Sequence, residues 1–499
     1  MRITYIIAFI LGMICSFGHP PFNYILSSLS ALALFFYMLE KIKKLKEAFW
    51  FSFSFGYGYY LYSHHWFNES LLAFGNELLW LMPFGLLLIP AFFSLYFAFA
   101  GYLINRYAKG NIFIIALIWL IMEFTRSYGY IEFPWLLIGY VWSYSDVISQ
   151  SAAIFSIWGL SFLTIIWAGA IYATLQILKD KNYQNCLIIF IALVSYIGCY
   201  IYGNDRLNNH PPLTEQTAKV RIVQANIDQN IYSRINDRYK NLIKHIELSQ
   251  DAAANNIDYI IWPEGAHEYN LDNALLNKIK SVVPKNGALI FNSTRRELNP
   301  YKHWNSLFVI DNDGKIIDYH DKAHLVVLGE FIPLRAILPF INKITPGAID
   351  YTQGIGAHAI SVSHPFLPSI CYEATFPDNN NQKFTWILNI TNDGWFGTSI
   401  GPYQHLAISK FRSIEQGVPM ARASLTGISA IIDSFGRIIS QIPLLKEGVL
   451  DAQLPAYMSN STYYHHYGYY SVILLILVIF GLEWLMKRIF FVKRRKFLK

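Results

Sequence analysis

A carboxylate, an amine and a thiol stand at the ends of short apolar segments in the middle of this chain. Ile260-Ile261-Trp262-Pro263-Glu264-Gly265 reads as a buried strand broken at proline, with a carboxylate presented just past the break. Tyr319-His320-Asp321-Lys322-Ala323-His324-Leu325 places a lysine after a β-hairpin. Leu328-Gly329-Glu330-Phe331-Ile332-Pro333 offers a second acid in an apolar setting, and Ser369-Ile370-Cys371-Tyr372-Glu373-Ala374 ends an extended segment on a thiol. Taken singly, each has a bland reading: a loop Glu, a surface Lys, a buried structural Cys. Together they meet the needs of acyl transfer. A thiol becomes a nucleophile when a base takes its proton and a cation favours the thiolate. The carbonyl it attacks builds an oxyanion, which a Lys and a backbone N–H can stabilise. Each of Glu264, Lys322 and Cys371 ends a strand or hairpin, where residues from one rim of a sheet can converge.

Cysteine usage supports the nucleophile reading over a disulfide framework. The chain has 4 Cys, of which Cys15, Cys186 and Cys199 are embedded in membrane-length apolar runs. Cys371 alone lies outside them.

The surrounding elements divide the chain. Of its 499 residues, 54% are apolar and only 15% charged, against about a quarter charged in soluble domains. Aromatics reach 17%, which suits a chain with many membrane interfaces. Apolar runs of roughly 17–25 residues can span a bilayer. Seven are read before residue 210, near 3–17, 24–40, 48–64, 78–104, 111–125, 151–177 and 185–203, and an eighth near 468–486. The first follows Arg2 but lacks a small-residue cleavage site, so it reads as a retained helix rather than a signal peptide. Basic residues collect at Lys41, Lys43, Lys44 and Lys46, at Arg106 and Lys109, at Lys179 and Lys181, and from Lys487 to Lys499. The alternate loops 18–23 and 65–77 carry none. This bias predicts cytoplasmic termini and places 204–467 on the opposite face. The +7 net charge and the Lys493-Arg494-Arg495-Lys496 tail therefore read as topology and lipid anchoring, not as a nucleic-acid surface.

The expected organisation is 1–203 for seven helices, a linker over 204–219 containing Pro211-Pro212, a catalytic domain over 220–452, a linker over 453–467, and a last helix with its basic tail over 468–499. Within the catalytic domain, strands are expected at Val220–Gln224, Asp258–Trp262, Ala288–Asn292, Ser306–Ile310, Ala359–Val362, Thr385–Ile390 and Gly427–Ile432. Helices are expected over 236–256 and 403–417. Asp311-Asn312-Asp313-Gly314 reads as a hairpin turn; the bidentate Glu of a calcium loop is missing. There is no zinc spacing, no GxGxxG and no Walker loop, so the reading calls for no cofactor and no metal.

At these residues the chain resembles the nitrilase superfamily. The order Glu, Lys, Cys stands in Trp-Pro-Glu-Gly, Tyr-x-x-Lys-x-His-Leu and Cys-Tyr-Glu contexts. Asn389 to Gly397 and Gly401-Pro402-Tyr403-Gln404-His405 resemble one branch, the apolipoprotein N-acyltransferases. So do His19-Pro20-Pro21-Phe22, Phe133-Pro134-Trp135, the eight spans and the basic tail. The chain departs from that branch's usual Gly at Ala225, Pro at Asp228 and Pro-Phe at Val327-Leu328. The resemblance implies a polytopic α-helical membrane protein of about eight transmembrane helices with an inserted α/β nitrilase-like αββα sandwich domain. That domain would stand outside the inner membrane of a diderm bacterium. Its implied partners are diacylglyceryl apolipoproteins and a phospholipid donor, phosphatidylethanolamine through its sn-1 chain. It also implies roles: Glu264 as general base, Lys322 as oxyanion stabiliser, Cys371 as nucleophile, Glu330 as support for the Lys, the Tyr372 N–H as second oxyanion donor, and Glu373 as a local brace. Loops 326–345 and 395–403, rich in large apolar residues, are candidates to meet the headgroup layer.

Two other classes compete. A membrane-tethered amidase of the nitrilase type would need no lipid access, which leaves eight spans as excess anchoring. A transporter would need polar residues along a route through its spans; Glu123 and Arg126 near the outer end of the fifth are too sparse for one.

Overall fold

The apolar runs fold as helices. In the computed structural model, which describes residues 2–74, 77–181, 185–209, 217–250, 256–335, 337, 343, 349–377, 382–458 and 461–497, they are α1 (Arg2–Ser16), α2 (Ile25–Lys41), α3 (Leu45–Ser63), α4 (Met82–Leu103), α5 (Ile112–Tyr128), α6 (Ala152–Asp180) and α7 (Cys186–Asn209). Among the described residues, four segments are long and apolar enough to cross a membrane: Leu79–Ala108, Ala152–Asp180, Cys186–Asn209 and Tyr469–Arg488. The chain is a membrane protein. The expected linker begins inside a helix, because α7 continues through Asn204, Asp205 and Arg206 to Asn209. There Arg206 is buried, donates to the carbonyls of Ile414 and Ser434, and lies over the Phe435 ring. Pro211-Pro212, much of 326–345 and the side chains of the basic tail lie outside the described residues.

Small residues let the helices approach. A Cβ on Gly12 of α1 would collide with the Phe55 carbonyl of α3, and one on Gly58 of α3 with the Phe9 carbonyl of α1. Between apolar helices, where lipid tails compete for the same contacts, such close backbone packing supplies the association. Glu123 and Arg126 of α5 serve the following loop. Arg126 Nη1 donates to the Trp135 carbonyl (2.8 Å), and Glu123 Oε1 accepts from the Ile138 N–H (2.7 Å).

The remaining chain forms two sheets. One has order β11-β1-β2-β3-β4-β5 and the other β10-β9-β8-β7-β6. The strands are β1 (Lys219–Gln224), β2 (Tyr259–Ile261), β3 (Ala288–Leu298), β4 (Tyr301–Ile310), β5 (Ile316–Asp321), β6 (Phe366–Ile370), β7 (Trp386–Thr391), β8 (Met420–Ser424), β9 (Ser429–Ile432), β10 (Ile438–Ile442) and β11 (Gly448–Gln453). β1–β3 run parallel, as do β6–β8; the flanking pairs are antiparallel. Strand alternation sends Ile222, Ile261, Ile290 and Leu307 of one sheet against Ile370, Leu388, Ile390 and Ala423 of the other. The opposite face of the first sheet buries Val223, Ile260, Leu289 and Phe308 under Leu242 and Ile246 of α8 (Arg238–Gln250) and Leu275 and Ile279 of α9 (Asn273–Ile279). The second sheet's outer face carries Leu406 of α10 (Gly401–Gln416). The result is a nitrilase-like α/β sandwich.

The chain returns to the apolar bundle through α11 (Tyr469–Phe497). The Asp311–Gly314 turn forms, with Asp311 Oδ1 accepting from the Asp313 and Lys315 N–H groups. Ala359–Val362 is not a strand. It makes one isolated bridge, Ile360 to Phe366, because the segment doubles back onto the start of β6 within a few residues.

Gly58→Val is expected to force α1 off α3 and to cost about 1–3 kcal/mol, as overpacking typically does. A thermal melt in detergent checks this; an unchanged melting temperature would contradict the close crossing.

Candidate active site

Glu264, Lys322 and Cys371 each sit just past or at the end of a strand. Pro263 ends β2, and Gly265, at φ +74°, turns the chain away so that Glu264 faces the gap between the sheets. The Gly265 N–H donates to Asn292 Oδ1 (3.1 Å), which fixes that turn to β3. Lys322 directly follows β5. Its N–H donates to the Asn305 carbonyl of β4 (2.9 Å), so the ladder carries the lysine inward; its side chain is 1% exposed.

The buried ammonium lies between two carboxylates. Lys322 Nζ is 2.9 Å from Glu330 Oε1 and 3.5 Å from Glu264 Oε1. Asn305 Nδ2 donates to both, at 2.8 Å to Glu264 Oε1 and 3.0 Å to Glu330 Oε1. The outer oxygens are also held. Glu264 Oε2 accepts from the Asn392 N–H (3.1 Å), and Glu330 Oε2 from the Val326 N–H (2.9 Å). Burial alone would favour the neutral amine. The Glu264 and Glu330 charges reverse that, and Lys322 holds its proton well above the ordinary lysine range.

Cys371 closes β6 and opens a short 3₁₀ turn, Cys371–Thr375. Its φ is +49°, left-handed for a residue with a Cβ, a conformation that costs about 1–3 kcal/mol and persists only where surroundings enforce it. Burial pushes the thiol pKa up, the Glu264 charge pushes it further, and Lys322 pulls it down; the net shift is upward. The resting thiol is thus protonated at neutral pH, and a thiolate forms there only if a neighbouring base removes the proton.

Glu373 braces this turn. Its Oε2 accepts from the Ile370 N–H (2.6 Å) and its Oε1 from the Ala323 N–H (2.6 Å), so one carboxylate joins the residue before Cys371 to the residue after Lys322. His320 Nε2 lies 3.0 Å from Oε2. Burial would raise the carboxyl, but the His320 charge and hydrogen bond and the two N–H donors bring it down to about 2. The Tyr372 hydroxyl donates to the Glu132 carbonyl in the α5–α6 connection (2.6 Å).

Contacts with the helical bundle cluster beside the site. Gln404 Oε1 accepts from Trp66 Nε1 (3.2 Å) and Trp135 Nε1 (2.9 Å). Phe396, within the expected lipid-facing loop 395–403, is buried between the same two Trp rings. Leu328 and Leu334, in the other such loop, are exposed.

All six residues singled out in the sequence lie at this rim. Sequence reasoning missed Asn305, Asn292 and Arg422, and it read Asp393 and His405 only as parts of motif segments, without a role. Asn292 and Asn305 carried a signal. They stand two residues from Ile290 and Leu307 on β3 and β4, on the sandwich face, where a polar side chain needs a partner. Among the described residues, no group of three or more His, Cys, Asp or Glu side chains is arranged to hold a metal ion.

Comparison with known proteins matches both halves. Residues 11–170 match the family model described as apolipoprotein N-acyltransferase N-terminal domain, and 219–464 that described as carbon-nitrogen hydrolase. The apolipoprotein N-acyltransferase of Rickettsia typhi is 32% identical over 98% of this chain and 99% of its own. That of Rhodopseudomonas palustris is 33% identical over 80% of this chain and 78% of its own. Among solved structures, Saccharomyces cerevisiae Nit3, a member of branch 10 of the nitrilase superfamily, is 18% identical with a TM-score of 0.38, covering 48% of this chain and 91% of that one.

Glu373 generates a pH prediction. Folding holds its carboxyl at about 2 against an ordinary 4.5, so its ionised form contributes stability that is complete above pH 4.5 and is lost as pH falls toward 2. Glu373→Gln removes that contribution. The gap in melting temperature between parent and variant should therefore be widest above pH 4.5 and narrow across this window; a gap that stays constant would refute the brace.

Proposed function

This chain belongs to the apolipoprotein N-acyltransferase family, and from that premise we propose that it N-acylates lipoproteins through a thioester on Cys371, with Glu264 and Lys322 completing a catalytic triad. The observation that carries the reading is the buried Lys322 ammonium held between Glu264 and Glu330 at the rim where β6 delivers Cys371. In the first half-reaction Glu264 takes the thiol proton, and the thiolate attacks the ester carbonyl of a phospholipid. Lys322 and the Tyr372 N–H stabilise the oxyanion. Its collapse breaks the ester C–O bond. The lysophospholipid alkoxide leaves with the proton from Glu264, and the acyl group stays on sulfur. In the second half-reaction the N-terminal amine of a diacylglyceryl-cysteine apolipoprotein attacks the thioester and gives a proton to Glu264. The thiolate leaves and is reprotonated. One site used twice requires ping-pong kinetics. Glu330 and Asn305 orient Lys322, and Glu373 orients the turn. Phosphatidylethanolamine is the donor consistent with the family.

The membrane arrangement belongs to the same reading. Eight helices, α1–α7 and α11, cross the inner membrane with both termini in the cytoplasm, and the 220–452 unit stands on the periplasmic side. Side-chain contacts support this. Lys41 pairs with Asp180 (2.7 Å), Tyr172 bonds Glu40 (2.9 Å), and Asn111 bonds Glu483 (2.7 Å), which gathers the Lys-rich ends of α2, α6 and α11 at one end of the bundle. Ser63, Trp66, Trp135 and Arg206 meet the sandwich at the other.

Intact mass tests the chemistry. The parent protein incubated with phospholipid should gain a fatty-acyl increment labile to neutral hydroxylamine, and Cys371→Ala should gain none; persistent labelling would remove Cys371 as nucleophile. Lys322→Met keeps the stem and removes the charge, so turnover should fall on the order of 10²–10³. Topology has its own test. In a variant whose four native cysteines are replaced, a cysteine at Asn208 should react with a membrane-impermeant maleimide once the outer membrane is permeable, and one at Lys43 only after inner-membrane lysis. The reverse pattern would put the sandwich in the cytoplasm and favour a tethered amidase.

A further inference from the structure

The peptide joining Cys371 to Tyr372 is gripped from its buried side. His405, on α10 and 0% exposed, has Nε2 3.2 Å from the Cys371 carbonyl oxygen. A carbonyl can only accept, so Nε2 carries the proton and donates. The other ring nitrogen is fixed in turn. Nδ1 lies 2.8 Å from Asp393 Oδ1 and 3.1 Å from Arg422 Nη2. Arg422 also donates to Asp393 Oδ2 (2.7 Å), and Thr391 Oγ1 donates to Asp393 Oδ1 (3.0 Å). Asp393 and Arg422 are both 0% exposed. Apolar residues would fill this space at lower desolvation cost than a buried ionic trio. Arg422 donates further to Asn389 Oδ1 and, at 3.0 Å, to Ser409 Oγ, so the trio ties β7 to α10, and through His405 it places one directed hydrogen bond on the backbone of the nucleophile's turn.

A trans peptide holds its C=O and N–H on opposite sides. Holding the Cys371 carbonyl against His405 therefore fixes the Tyr372 N–H on the far side, away from the buried trio. The left-handed φ of Cys371 makes this necessary, because the turn has an easier conformation to relax into. We infer that His405 is a positioning residue for oxyanion stabilisation: it holds the Cys371 carbonyl so that the Tyr372 N–H stays aimed at the developing oxyanion, and Asp393 and Arg422 lock its ring for that task. The inference rests on Cys371 being the nucleophile.

Two reactions of the same sulfur separate positioning from packing. Acylation by phospholipid passes through an oxyanion. Alkylation by iodoacetamide does not: the thiolate displaces iodide from a tetrahedral carbon, and no negative charge builds on oxygen. The readout is the ratio of the two rates on Cys371, followed by intact mass on the full-length protein in detergent with phosphatidylethanolamine micelles. His405→Asn cannot reach the carbonyl from the Nε2 position. It should lower the acylation rate on the order of 10²-fold, leave alkylation within about twofold, and leave the phospholipid KM unchanged. His405→Gln, whose amide reaches further, should recover part of the ratio. Unfolding exposes the buried thiol and relieves the burial that keeps it protonated, so an unfolded preparation alkylates faster while it acylates less, and alkylation within about twofold of the parent marks a folded site. An unchanged ratio in both variants, whether the two rates hold or fall in parallel, would overturn the inference. Failure of the parent protein to acylate Cys371 at all is a different result and removes the nucleophile reading itself.

Discussion

One helix belongs to two cores, and the site depends on it. α10 lays Leu406 on the outer face of the second sheet, while Ile408, Phe411 and Ile414 pack into the hydrophobic core of the helical bundle. Almost no part of it meets solvent: 14 of its 16 residues are buried. Burying a helix on all sides requires its polar side chains to find partners, and those partners lie in both parts of the molecule. Glu415 Oε1 accepts from Ser156 Oγ (2.6 Å) and the Ile157 N–H (2.9 Å), at the kink where the straight run of α6 begins. A carboxylate there meets the exposed N–H groups of a helix start, the favourable end of its dipole. The sandwich is thereby seated on the bundle by directed bonds as well as apolar area.

That seating explains how buried charges are tolerated at the rim. Lys322, Glu264 and Glu330 are buried, and the side chain of Glu373 is 8% exposed, so their charged ends meet little water. Isolated ions there would lose several kcal/mol each to desolvation. The fold answers with backbone N–H groups of Asn392, Val326, Ala323 and Ile370, each aimed at a carboxylate oxygen. Three of these donors, on Asn392, Val326 and Ala323, come from loops; the fourth belongs to Ile370, the last residue of β6. The loops must therefore be held in place, and Glu330 holds its own by an exchange with Val326 in both directions.

The chemistry was more legible in the sequence than the support around it. Lys322, in Tyr319-His320-Asp321-Lys322, is singled out only by the constellation and the family contexts around it, whereas Glu264 and Cys371 stand out because each ends an apolar segment. The strands with apolar runs, such as β1, β3 and β7, were legible for the same reason. β8, Met-Ala-Arg-Ala-Ser, was not: its central Arg422 argues for an exposed loop until Asp393 and Asn389 are seen beside it. Ala359–Val362 misled in the other direction, since four residues of strand-like pattern fix no partner. His405 read only as part of a family motif, because its role depends on a carbonyl 34 residues away that composition cannot reveal.

Adjacent residues on a helix point about 100° apart, since 3.6 residues complete a turn. On α10 that geometry sends Gln404 toward Trp66 and Trp135 of the bundle and His405 toward the carbonyl of Cys371. Two consecutive side chains thus tie the helical bundle and the backbone of Cys371 to one rigid turn. A sandwich cut free of the helices would expose Ile408, Phe411 and Ile414 and would strip Gln404 of both indole donors and Glu415 of its bonds to α6. The turn that carries His405 would then lose the packing on one whole side. The backbone of Cys371 is thus registered against the helical bundle, and the geometry of the candidate site depends on sandwich and bundle staying joined.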